Sequence, residues 1–180
     1  YAQRDWIDRY TLRSDLYLDA RGSTRRLTNG ARLLQPDARV LAPAAAPHLE
    51  IVAVQLLPAA SRLVVVRPTA DSVIVTPISG ASLDTIWTSP RWSHDGTRIV
   101  AVRWTRGGTT EMAVLDATGR VLTTFGRARA LNGSPAWAVG DSAVYFTSDR
   151  SGRSALYRAS LPSGALTRVA ESATGLFESE

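Results

Sequence analysis

The sequence predicts an all-β chain: a β-propeller segment built from four-stranded antiparallel blades, three of them complete, with a partial blade at each end. Two observations lead there. Ser89-Pro90-Arg91-Trp92 with Ile99-Val100-Ala101-Val102 returns as Ser134-Pro135-Ala136-Trp137 with Ala143-Val144-Tyr145-Phe146, and the interval from Pro90 to Pro135 is 45 residues. That lies at the upper edge of the roughly 40–45 residue period of propeller blades. The apolar runs are also short, β-branched and bounded by turn residues, which favours strands over helices.

The first partial unit spans residues 1–34, with Asp15 to Asp19 and Ser23 to Thr28 as strands and Asn29-Gly30 closing it. Blade 35–80 opens at Gln35-Pro36-Asp37, and its later strands are Ile51 to Gln55, Ser61 to Arg67 and Ser72 to Thr76. Its interval from Pro36 to Pro90 is 54 residues, so it carries an insertion. Pro43 to His48 is rich in Ala, but its prolines and brevity make it a loop.

Blade 81–126 runs from Ser89-Pro90-Arg91-Trp92 through a His94-Asp95-Gly96 turn to strands Arg98 to Trp104, Thr110 to Leu115 and Arg120 to Phe125. Blade 127–175 repeats the order with Ser134 to Trp137, Gly140-Asp141, Ala143 to Thr147, Ser154 to Ala159 and Ala165 to Ala170. Residues 176–180 begin another first strand. Asp95-Gly96, Thr118-Gly119, Ser151-Gly152 and Ser163-Gly164 lie between strands, where Gly supplies the positive φ of tight hairpins.

A Trp at the same place in successive repeats suits sheets stacked face to face, so Trp92 and Trp137 are read as packing residues. A β-sandwich would not explain a fixed interval between Ser-Pro-x-Trp segments. The chain opens in mid-unit and stops at the start of another, and neither end shows a polar capping repeat. It is therefore read as a segment of a larger protein whose open blade edges invite self-association.

Ser89-Pro90-Arg91-Trp92-Ser93-His94-Asp95-Gly96-Thr97-Arg98-Ile99 resembles the Ser-Pro-x-Trp-Ser-Pro-Asp-Gly-x-x-Ile signature of TolB-type, WD-repeat-like β-propeller repeats. Phe146-Thr147-Ser148-Asp149-Arg150-Ser151-Gly152 with Leu156-Tyr157 is similar to the next part of that repeat, and Asp15 to Asp19 with Arg25 to Gly30 to its closing hairpin. The resemblance implies turn-forming roles for Asp95, Gly96, Asp149 and Gly152, and a periplasmic, secreted or cell-envelope location. It departs from the pattern at His94, which stands where the family has Pro, and at Ala138-Val139-Gly140-Asp141. Ala42 to Pro47 has lost the motif altogether.

Catalytic patterns are few. The chain has no Cys, which excludes disulfides, thiolate nucleophiles and Cys-ligated metals. His48 and His94 are the only imidazoles and share no metal spacing, and no carboxylate–His pair is implied. No Ser lies in Gly-x-Ser-x-Gly, and Arg106-Gly107-Gly108 lacks the rest of a phosphate-binding loop. No catalytic residue, cofactor or metal is therefore expected, and no apolar run reaches the ~20 residues of a membrane span.

The expected occupation is binding of a protein or peptide. Asp37 and Arg91 follow the proline of their first strands, and Trp87 and Trp104 lie outside the repeated Trp position, so these four are the candidate interaction residues. The net charge of +5 rests on arginines spread over every unit, a pattern that predicts no specific nucleic-acid binding. The alternative is the substrate-gating propeller of a serine peptidase or other hydrolase whose catalytic domain lies elsewhere.

Overall fold

The first strand of each four-stranded sheet carries the same backbone irregularity. Its register shifts between Leu34 and Asp37, between Thr88 and Arg91, and between Gly133 and Ala136. At each shift the residue before proline takes a positive φ: 50° at Gln35, 51° at Ser89 and 46° at Ser134. The x-Pro pair thus forms a β-bulge inside the strand, where proline's missing N–H costs no ladder bond.

The computed structural model describes residues 1–6, 12–20, 22–41, 48–69 and 72–171. Of the loop read at Pro43 to His48, residues 43–47 lie outside them, as does the first strand expected at 176–180, while His48 is not loop but begins a strand through its pairing with Leu41. Among the described residues all fifteen elements are strands. They fall in two compact units, Tyr1–Leu83 and Asp84–Glu180.

In the first unit, β1 (Ala2–Trp6), β2 (Leu12–Ala20) and β3 (Ser23–Arg26) form a three-stranded sheet. The sequence reading had no strand ahead of Asp15. Stacking of Tyr1 on Tyr17, with ring centroids 5.7 Å apart, and reciprocal main-chain bonds between these residues hold β1 in place. Next come β4 (Leu33–Leu41), β5 (His48–Leu57), β6 (Ala60–Pro68) and β7 (Val73–Pro77), paired in chain order. Leu16, Leu27, Leu33, Ile51, Ala53, Val64 and Val66 form the core of this unit.

The extra residues of the 35–80 repeat sit mainly in the β4–β5 hairpin. There Asp37 pairs with Val52, whereas Arg91 pairs with Val100 and Ala136 with Tyr145 in the matching hairpins. The buried Glu50 stabilises this longer ribbon by pairing with Arg39 and Arg67 on the strands either side. Burial alone would raise the Glu50 pKa, but the two guanidinium groups outweigh it and hold the carboxyl below its ordinary value.

In the second unit, β8 (Thr85–Trp92), β9 (Arg98–Thr105), β10 (Thr109–Asp116) and β11 (Val121–Ala128) form one sheet. A second contains β12 (Asn132–Trp137), β13 (Ala143–Ser148), β14 (Ala155–Ser160) and β15 (Ala165–Glu171). The two sheets share one core, which includes Val100, Val102, Met112 and Val114 from the first and Trp137, Val144, Phe146 and Tyr157 from the second. Burying this apolar surface between two sheets supplies stability that neither four-stranded sheet has alone.

Candidate functional site

The hairpin turns of β8–β9 and β12–β13 meet at the seam between the two sheets of the second unit. Each is closed by the same pair of main-chain bonds: Ser93 N to Arg98 O and Gly96 N to Ser93 O in one, Ala138 N to Ala143 O and Asp141 N to Ala138 O in the other. Gly96 and Asp141 occupy equivalent places, with φ of 67° and 53°. Asp is among the few residues other than Gly that enter this left-handed region.

Inside the first turn, Asp95 Oδ1 accepts hydrogen bonds from the Ser93 hydroxyl (2.6 Å), the Thr97 amide (2.9 Å) and the Thr97 hydroxyl (2.8 Å). The Ser93 bond is the largest of the causes that lower the Asp95 pKa to about 2. The Ser93 oxygen in turn accepts the Arg98 amide at 2.9 Å.

Asp141 reaches back across the seam. Its Oδ1 accepts the His94 amide at 3.0 Å and stands 2.8 Å from His94 Nδ1, while Oδ2 accepts the Asp95 amide at 2.9 Å. The side chain is buried, which alone would raise its pKa, but the bonds from Asp95 and His94 outweigh burial and lower it. The expectation of no carboxylate–His pair is thereby corrected. The partners are 47 residues apart and come together only when the sheets stack. Writing Gly140-Asp141 beneath Asp95-Gly96 in the repeat would have marked Asp141 as the unusual residue.

Arg98 fills the space beneath. Its guanidinium lies 4.9 Å from the centroid of the Trp137 ring and donates to the Asp141 carbonyl at 2.9 Å. The Trp137 indole donates from Nε1 to the Arg91 carbonyl at 3.1 Å. Arg91 is thus held by its main chain, while its exposed guanidinium donates to its own Pro90 carbonyl at 3.1 Å. His94 is 61% exposed in the β8–β9 turn and Val139 94% exposed in the β12–β13 turn.

The other candidate residues lie elsewhere. Trp87 is buried beneath Arg103, whose guanidinium lies 5.7 Å from the indole centroid and pairs with the buried Glu111. Trp104 is partly buried against the core of the second unit, and Trp92 is buried. Asp37 is half-buried on β4, in the first unit. Asp149 accepts the Leu131 amide at 2.7 Å, and the Gly152 amide donates to the Asp149 carbonyl at 2.8 Å, with φ of 92° at Gly152. Among the described residues no group of His, Asp and Glu is placed to hold a metal ion. Among the described residues no helix is long and apolar enough to cross a membrane.

A second knot, which the sequence reading did not find, lies between β11 and β13. Arg150 donates to the Gly126 carbonyl (2.6 Å), Asn132 Oδ1 (3.0 Å) and Ser148 Oγ (3.0 Å), with its guanidinium against the Phe146 and Tyr157 rings. Burial lowers the Arg150 pKa. Gly126 has φ of 68°, and a Cβ there would lie 3.2 Å from the Phe146 ring and 3.3 Å from Arg150.

A family model described as "TolB beta propeller domain" matches residues 26–177. No curated protein matches the chain. Among solved structures, TolB from Acinetobacter baumannii is similar with a TM-score of 0.65 at 20% identity, over 93% of this chain and 39% of that one. A putative TolB from Agrobacterium tumefaciens gives 0.68 at 18% identity, over 91% of this chain and 58% of that one. A prolyl endopeptidase gives 0.59 at 16% identity, over 88% of this chain and 23% of that one. At these identities the likeness is one of fold, and the chain spans less than two thirds of each of these proteins.

Proposed function

From the premise that the chain belongs to the TolB β-propeller family, whose domain model covers residues 26–177, we propose that it is a non-catalytic scaffold that binds a protein or extended peptide. Its setting in this reading is the periplasm or cell envelope, as part of a larger protein. The observation that carries the reading is the bond from Trp137 Nε1 to the Arg91 carbonyl. It fixes the backbone of an exposed arginine at the seam between two sheets, and Arg held in place in this way is the kind of residue that anchors interfaces.

The polar groups around Arg91 support the same reading, because each is engaged in holding the turns. Asp141 binds the His94 and Asp95 amides, Asp95 binds Ser93 and Thr97, and Arg98 binds the Asp141 carbonyl. Such a site recognises a surface through its shape and exposed tips. A second reading, a propeller that gates substrate access to a hydrolase, rests on the fold shared with a prolyl endopeptidase.

Screening the protein against a library of extended peptides by fluorescence anisotropy tests the proposal, with Arg91→Ala as the paired variant. The expected result is selective binding that weakens about tenfold in Arg91→Ala at an unchanged melting temperature. Peptides that bind both proteins equally would overturn it. Cleavage of bound peptides by the protein would move the assignment to the hydrolase reading.

A further inference from the structure

We propose that Asn29 is a site of covalent modification: it closes on Gly30 to a succinimide and is converted to aspartyl and isoaspartyl residues, while Asn132 is held against the same reaction. These are the two asparagines of the chain, and both precede glycine. Without a Cβ, glycine leaves its own nitrogen uncrowded and its backbone free to turn, so Asn-Gly is the pair most open to this ring closure. Sequence thus ranks the two sites equally, and only their surroundings separate them.

The reaction balances with water alone. The Gly30 nitrogen bonds to Asn29 Cγ, the Cγ–Nδ2 bond breaks, and the amide leaves as ammonia with the proton that Gly30 gives up. Water then opens the ring at one carbonyl or the other. One opening leaves an aspartate side chain, and the other an isoaspartyl linkage with an extra carbon in the main chain.

Asn29 and Gly30 are both exposed and lie between β3 and β4, outside either strand. A Cβ placed on Gly30 would meet nothing within 4 Å, so a five-membered ring has room to form. Arg26 Nη2 donates to Asn29 Oδ1 at 3.1 Å, which draws electron density from the carbon to be attacked. The Gly30 amide donates to Asp15, a bond that must be given up as the ring closes.

Asn132 differs at each point. It is 4% exposed, and Gly133 is paired with Thr147 in the ladder of β12 and β13. Its Nδ2 donates to the Thr110 carbonyl at 3.2 Å and the Gly126 carbonyl at 2.9 Å, and its Oδ1 accepts Arg150 at 3.0 Å. Turning this side chain onto its own main chain would break all three bonds and leave buried groups without partners.

The product bears on the closure of the first sheet. A carboxyl at position 29 competes with Asp15 for Arg26. Asp15 also accepts the Thr28 hydroxyl at 2.9 Å and the Ala31 amide at 3.2 Å, and a main chain one carbon longer at position 29 displaces the second of these. Modification therefore loosens the connection from β3 to β4.

The test holds the protein in warm, mildly alkaline buffer, folded in one sample and unfolded in urea in another, followed by brief trypsin digestion and mass spectrometry. Cleavage after arginine releases residues 27–32 and 130–150 as separate peptides, so the change from amide to acid is read at each asparagine. In the folded sample the 27–32 peptide is expected to convert severalfold faster than the 130–150 peptide, and in urea the two should convert at comparable rates. Asn29→Gln keeps the amide on a longer side chain and should leave its peptide unconverted. The parent's melting temperature should fall during incubation, and that of Asn29→Gln should hold. Equal conversion of the two peptides in the folded sample would overturn the proposal, as would conversion of Asn29 in urea alone. An equal fall in melting temperature for parent and variant would overturn the link to the first sheet.

Discussion

Trp137 Nε1 donates to the main-chain carbonyl of Arg91 at 3.1 Å, tying β12 of one sheet to β8 of the next. The indole thus fills the core between the sheets and also satisfies a polar group on the bulged strand of its neighbour. Trp137→Phe keeps most of the packing and loses the hydrogen bond, at an expected cost of about 1–2 kcal/mol. Trp137→Ala also leaves a cavity, for about 3–5 kcal/mol. Urea unfolding of both variants checks the order, and equal losses would mean that the Arg91 carbonyl finds water at no cost.

Gly126→Ala strikes the core from the edge. The new Cβ would stand 3.2 Å from the Phe146 ring and 3.3 Å from the Arg150 guanidinium at a backbone φ of 68°. The left-handed conformation and the crowding together predict a loss of about 2–4 kcal/mol. Thermal melting measures it. Gly107→Ala is the control, because its φ of 94° carries the backbone strain in open space, and its loss should be the smaller.

Arg150→Lys tests whether the second knot depends on the planar fork of arginine. One ammonium cannot reach the Gly126 carbonyl, Asn132 Oδ1 and Ser148 Oγ with the geometry that Nε and Nη2 provide. A destabilisation of about 1–3 kcal/mol is expected, since buried acceptors are left short of donors. Chemical denaturation of the variant reads it out, and a neutral result would assign the residue's contribution to its packing on Phe146 and Tyr157.

Strands were legible where the side chains left one choice. Leu63 to Val66 is a β-branched run between turns and forms the centre of β6, whereas Ala2 to Arg4 has no apolar run and becomes a strand through Tyr1 stacking on Tyr17. The Ser-Pro pairs read as the openings of units but lie inside their strands. Proline ordinarily drives the preceding residue to extended backbone, and here Gln35, Ser89 and Ser134 take a left-handed bulge conformation instead. The candidate site was less legible because its contacts join successive repeats. Arg91 was visible from its place after Pro90, but Asp141 acts on His94 across a 47-residue separation.

Acid should loosen the seam between the two turns. Asp141 is held below the ordinary carboxylate value of 3.8, because the Asp95 and His94 bonds outweigh the burial that opposes them. Asp95 is lowered to about 2, chiefly by the Ser93 hydroxyl and the Thr97 amide. A carboxyl whose pKa is lower in the folded state favours the fold in its charged form. Its contribution is complete above the unfolded value and is lost as pH falls through the folded one. Stability should therefore be flat in this respect near neutrality and decline below about pH 4, with the Asp95 share lost on the approach to pH 2. Asp141→Asn keeps a residue that tolerates left-handed backbone but removes the charge, so it should be less stable at pH 7 and lose less on acidification than the parent. Urea midpoints between pH 7 and pH 2 measure both effects, and parallel curves for the two proteins would show that Asp141 does not carry the acid response.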